Sequence, residues 1–115
     1  MKTEITVVRN DNGEPVGFKA RGHSGDQPAG QNVTCASITV IFEYLSELSE
    51  ELPSDGVQFR QDPETTQWSI MFDREELSDQ EVFMTDRLVE AGLSLFEKIQ
   101  DRDPQSCRIV DPGAS

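Results

Sequence analysis

Apolar and polar residues alternate from Thr3 to Arg9, which puts Ile5 and Val7 on one face. Asn10-Asp11-Asn12-Gly13 is dense in turn residues, and Val16, Phe18 and Ala20 then alternate again up to Gly22. Two alternating runs about such a turn predict a β-hairpin. The pattern breaks between Gly22 and Gly30, where glycines and Pro28 predict a loop. Ile38, Ile41, Leu45, Leu48 and Leu52 then recur at helical spacing. They predict a helix from about Asn32 or Thr34 to Leu52, ended by Pro53-Ser54-Asp55-Gly56. Val57 and Phe59 open a third strand, and residues 62–66, with Pro63, make a polar connection. Trp68, Ile70 and Phe72 predict a fourth strand, with Ser69 and Met71 on its other face.

The second helix has the sharpest boundary. Ser78 is placed to cap it and Glu81 stands at the third helical position, the spacing of a capping box. Leu77 and Val82 suit the accompanying hydrophobic staple. Met84, Leu88, Leu95 and Ile99 predict its buried stripe, broadened by Val89, Gly92 and Phe96, and Asp103-Pro104 stops it. The order β-β-α-β-β-α leaves room for a short last strand over Arg108-Ile109-Val110. It predicts an α+β two-layer sandwich, a mainly antiparallel four-stranded sheet with two helices on one face. Residues 1–110 are read as a single domain and 111–115 as a tail. The length of 115 residues fits one modest core.

Charge narrows the partners. The formal net charge is -12. Residues 1–42 balance to zero, so the deficit lies from Glu43 onward. Phosphate backbones and acidic membranes repel such a chain, so no direct nucleic-acid or membrane contact is expected, whereas a basic protein partner is favoured. No apolar run is long enough to span a bilayer, and Met1 to Arg9 holds no signal-peptide core. Two distant cysteines, Cys35 and Cys107, make no disulfide framework. The expectation is a cytoplasmic protein with reduced thiols. One histidine and two distant cysteines also fall short of zinc spacing, so neither a metal nor another cofactor is expected.

The chemistry concentrates near the first helix. The single histidine, His23, sits in Gly22-His23-Ser24-Gly25, and Cys35 follows twelve residues later at the predicted helix start. A free thiol with a pKa of about 8.5 is mostly protonated at neutral pH, and the thiolate is the nucleophile. Helix N-terminal N–H groups and an adjacent imidazolium both stabilise a thiolate, and the same N–H groups suit an oxyanion hole. Asn32 is either the helix cap or an orienter of the histidine, and Thr39 lies one turn after Cys35. Spacing alone also fits a bland reading, with Cys35 a small buried hydrophobe, His23 a turn residue, and Gly22 and Gly25 serving turn geometry. Cys107 reads as incidental.

Taken together, Gly22-His23-Ser24-Gly25, Gly30 and Cys35-Ala36-Ser37-Ile38-Thr39 resemble the signature of the ribosomal-processing cysteine protease family, Prp or YsxB-like. The element order resembles that family over nearly the whole chain. The resemblance implies a homodimeric cytosolic enzyme that removes the N-terminal extension of a bacterial large-subunit ribosomal protein, cutting after an aromatic residue. It implies Cys35 as nucleophile and His23 as general base, supported by Gly22, Gly25, Asn32 and Thr39. Asn32 stands where the family usually has aspartate, and Thr39 where it usually has serine. Those two departures sustain an alternative, a non-catalytic dimeric module that binds a basic ribosomal protein.

Overall fold

The computed structural model describes residues 2–22, 29–62 and 67–113, with the backbone alone described for 29–32. Strands β1 (Thr3–Arg9) and β2 (Pro15–Arg21) form the first hairpin. Helix α1 (Ala29–Leu48) follows, then β3 (Val57–Asp62), β4 (Gln67–Phe72), helix α2 (Asp79–Arg102) and β5 (Cys107–Val110). The sheet order is β3-β4-β2-β1-β5. The expected short last strand is present as β5, and the expectation of a four-stranded sheet is corrected here. The sheet has five strands and is mixed, because β5 pairs in parallel with β1, with Thr3 opposite Cys107 and Ile5 opposite Ile109. Helix α2 carries the chain back along the sheet, so the strand after it enters in the direction of β1.

Strand alternation creates one apolar face. In β1 and β2, Ile5 stands opposite Ala20 and Val7 opposite Phe18. Phe18 in turn faces Ile70, and Ala20 faces Trp68. All six are buried and pack with Ile38, Phe42 and Leu45 of α1 and with Val89 and Phe96 of α2. Both helices therefore cover this face. The other face keeps Lys19 and Arg60 exposed and Thr6, Ser69 and Met71 half-buried. The fold class and both expected hairpins hold, and residues 63–66 of the second connection lie outside the described residues.

The register of β1 against β2 shifts between Val8 and Arg9, which leaves Val16 as an extra residue. Next to it, Gly17 lets β2 approach β4 closely. A methyl group at Gly17 would lie 2.0 Å from the Ile70 carbonyl oxygen and 2.8 Å from the Met71 Cα. Those are backbone atoms, so relief requires the strand to shift. Gly17→Ala is expected to cost about 3 kcal/mol, read from the midpoint of urea unfolding.

The helices differ from expectation in detail. The capping box of α2 is present. The Ser78 hydroxyl accepts from the Glu81 N–H at 3.2 Å, and the Glu81 carboxylate accepts from the Ser78 N–H at 2.8 Å. The fully buried residues of α2 are Thr85, Val89, Gly92 and Phe96, of which the last three belong to the predicted stripe; Leu88 and Ile99 pack partly buried against the core, while Met84 and Leu95 are exposed. The helix is turned toward the Val89 and Phe96 edge of the predicted stripe. It is seated by Phe96 against Phe18, with ring centroids 5.0 Å apart. Helix α1 ends at Leu48 rather than Leu52, because the Ser49 and Leu52 N–H groups bond back only three residues, to Ser46 and Ser49. Leu52 still reaches the core, whereas Leu48 does not.

Candidate active site

Cys35 is the seventh residue of α1, beyond the first turn where it was expected. The helix begins at Ala29, earlier than expected, since one glycine at position 30 costs a helix only ~1 kcal/mol. The unpaired N–H groups of a helix start belong to its first turn. The Cys35 N–H instead lies inside the intrahelical ladder, so it is not an oxyanion donor as expected.

The described part of the site is built from three separated segments. Cys35 is 3% exposed and lies on the core side of α1, beneath which runs β1. Its sulfur lies 3.5 Å from the Thr3 Oγ1, and Thr3 is itself 2% exposed. The Thr3 backbone N–H donates to the Ser106 carbonyl at 2.9 Å. Ser106 belongs to the turn between α2 and β5, which Asp103 organises. The Asp103 carbonyl accepts from the Ser106 and Cys107 N–H groups at 3.1 and 3.2 Å. The Asp103 Oδ2 accepts from the Thr34 hydroxyl at 2.7 Å, and Thr34 is the peptide neighbour of Cys35. A closed ring therefore runs from the Cys35 sulfur through Thr3, Ser106, Asp103 and Thr34 back to Cys35. Hydrogen bonds from Thr34, and then from Ser106, hold the Asp103 carboxyl below the usual carboxylate range against a smaller opposing push from burial.

Cys107 is not an incidental tail residue. It sits on β5 beside Thr3, is 1% exposed, and belongs to the core cluster. Both cysteines are free thiols. Burial, then the negative charges of Asp103 and of an ionised Cys35, push the Cys107 thiol up to about 11. Cys107 is therefore a neutral thiol at physiological pH and a poor nucleophile.

Of the other residues singled out from sequence, Gly22 closes β2 with φ +91°, and a Cβ there would meet the Lys2 carbonyl oxygen at 2.6 Å. Both facts require glycine just before His23. Thr39 is half-buried one turn beyond Cys35. Asn32 is described only as the fourth residue of α1. His23 and Gly25 lie outside the described residues, so their relation to the sulfur stays an expectation from sequence. Two shallow surface concavities of about 650 and 640 Å³ lie by the β1–β2 turn and on the uncovered sheet face, and Cys35 lines neither. Among the described residues no group of three or more His, Cys, Asp or Glu side chains converges as a metal site, and no helix is long and apolar enough to cross a membrane.

Sequence reasoning missed Thr3, Thr34, Asp103 and Ser106. The only local signal was the parity of Thr3, which shares the inward face of Ile5 and Val7.

The fold is shared with solved structures. A ribosomal processing protease Prp from S. aureus, solved in complex with a substrate peptide, matches with a TM-score of 0.72 at 16% identity, covering 96% of this chain and 97% of that one. The same enzyme with a covalently linked product peptide matches at 0.69 and 15% identity, covering 95% and 98%. SMU.848 from Streptococcus mutans matches at 0.75 and 19% identity, covering 96% and 93%. No curated protein shows significant sequence similarity. The family model described as cysteine protease Prp matches residues 2–108, which is nearly the whole sequence. This chain belongs to the Prp family of cysteine proteases.

Proposed function

We propose that the protein is a cytoplasmic, homodimeric endopeptidase that removes the N-terminal extension of a bacterial large-subunit ribosomal protein. The family match over residues 2–108 carries this reading. It is supported by the likeness to an S. aureus enzyme described as a ribosomal processing protease with a substrate peptide. In the proposed reaction His23 takes the Cys35 proton and the thiolate attacks the scissile carbonyl carbon. The tetrahedral intermediate collapses as His23 returns the proton to the leaving amine, leaving a thioester on Cys35. Water, deprotonated by His23, then attacks the thioester and restores the thiol. Gly22 and Gly25 shape the backbone around His23, Asn32 orients the imidazole, and Thr39 borders the nucleophile. The net charge of -12 favours encounter with a basic substrate.

The rival is a non-catalytic dimeric module for a basic ribosomal protein. One observation favours it: at 3% exposure the Cys35 sulfur must be uncovered before any peptide can reach it. Mass spectrometry of a peptide spanning the extension and its first mature residues, incubated with the protein, separates the two. Cleavage at one bond is expected. It should persist within about threefold in Cys107→Ala, because Cys107 stays a thiol at neutral pH. Binding of an intact peptide, with no cleavage, would select the non-catalytic module.

A further inference from the structure

We propose that Thr3 is a further catalytic residue, its hydroxyl donating a hydrogen bond to the Cys35 sulfur and holding it as the attacking thiolate. This rests on the assignment of Cys35 as nucleophile. The Thr3 Oγ1 lies 3.5 Å from the sulfur, and both residues are buried. While the sulfur carries its proton, either atom can donate. A thiolate can only accept, so once the proton has left for His23 the Thr3 hydroxyl has a single role. Its O–H keeps its own proton and turns toward the sulfur. A hydrogen bond to an ionised partner is about twice as strong as one between neutral groups, and shielding from water strengthens it further. The Thr3 hydroxyl has no other hydrogen-bond partner among the described residues.

The surroundings hold that geometry. Thr3 is fixed in register opposite Cys107 of β5, and the next residue, Glu4, stands opposite both Arg108 of β5 and Arg21 of β2, so β1 is paired along both edges from Glu4 onward. The Thr3 N–H is tied to Ser106 at 2.9 Å. Asp103 acts as a positioning residue. It binds the Thr34 hydroxyl at 2.7 Å and so anchors the turn of α1 that carries the sulfur to the same α2–β5 turn that anchors Thr3. Neither end of the Thr3–Cys35 contact is then left to drift.

The test is the rate of Cys35 alkylation by iodoacetamide against pH, read by peptide mapping that separates Cys35 from Cys107, together with kcat and KM for the peptide. Thr3→Val keeps the shape and removes the hydroxyl, and Thr3→Ser restores it. We expect Thr3→Val to alkylate about tenfold more slowly near neutral pH, with its profile displaced upward by about one pH unit and the gap closing at high pH. Thr3→Ser should remain within about twofold of wild type. For cleavage, kcat should fall by a similar factor with KM little changed. Thr3→Ala gives the same comparison should Thr3→Val not fold. Superimposed profiles, a slowing equal at every pH, or a Thr3→Ser as slow as Thr3→Val would overturn the proposal. A wild type that shows the expected alkylation differences but never cleaves would sink the peptidase reading and leave the Thr3–sulfur hydrogen bond standing.

Discussion

Phe18→Ala is expected to lower stability by about 3–5 kcal/mol, on the order of a 15 °C fall in Tm. Phe18 is fully buried in the second-strand position that joins every layer of the core. It faces Val7 on one side and Ile70 on the other within the sheet. Its ring meets Phe96 of α2 edge-on at 5.0 Å, and Phe96 continues to Phe42 of α1 at 5.5 Å. Truncation removes a ring that ties the sheet to α2, and the strands around it are too well paired to collapse into the space. For a domain whose total stability is of the order of 5–15 kcal/mol, that is a large share. The same ring explains Gly92, where a methyl group would approach Phe18 to 2.9 Å. Gly92→Ala should therefore cost less on a Phe18→Leu background than on wild type. Thermal unfolding of the four proteins measures this, and strictly additive losses would show that Gly92 does not couple to Phe18.

Features set by neighbouring residues were legible in the sequence. The alternation of Ile5 and Val7, and of Phe18 and Ala20, marks the strands that pair in the first hairpin. The Ser78 and Glu81 spacing marks the start of α2, because both partners of a capping box lie within one turn. Features set by distant partners were not. Nothing near Cys107 announces that β5 will lie parallel to β1, since that pairing joins residues about a hundred apart in sequence. The exposure of Met84 and Leu95 on α2 is similar. They are as apolar as the residues that face inward, and the seating of Phe96 against Phe18 decides which edge of the predicted stripe is fully buried. The start of α1 was misplaced because Gly30 reads locally as a breaker, although a helix tolerates it.

The same division runs through the site. Gly22, His23 and Cys35 stand out because their residue types and spacing are unusual in a short stretch of chain. Gly22 has the positive φ that its place at a strand end suggests. Thr3, Thr34, Asp103 and Ser106 are ordinary residues by type, and they matter only because the fold gathers them. Thr3 meets Cys35 across 32 positions of sequence, and Thr34 meets Asp103 across 69. A buried threonine on a strand reads as packing until the helix above it is known to carry the sulfur.

Cys35→Ala is expected to abolish peptide cleavage, a loss of ~10⁴-fold or more, because the proposed mechanism forms its covalent intermediate on the Cys35 sulfur. Cys107, the second free thiol, is held neutral by burial and by neighbouring negative charge. Stability should change far less, by about 1 kcal/mol, since alanine keeps the Cβ and removes one buried sulfur with a single hydrogen-bond contact among the described residues. That contrast separates a chemical role from a structural one: a packing residue loses stability and activity together. Cys35→Ser should be nearly as inactive, because a hydroxyl is far harder to ionise than a thiol although it fits the same space beside Thr3. Rapid acid quench during wild-type turnover adds the direct observation. Intact-protein mass spectrometry should find a species heavier by the released extension less one water, absent in Cys35→Ala and discharged by hydroxylamine as a thioester is. Cleavage that survives Cys35→Ala in a folded protein would remove Cys35 as the nucleophile. Cleavage lost without any such adduct, at every quench time, would instead point to Cys35 supporting a directly attacking water.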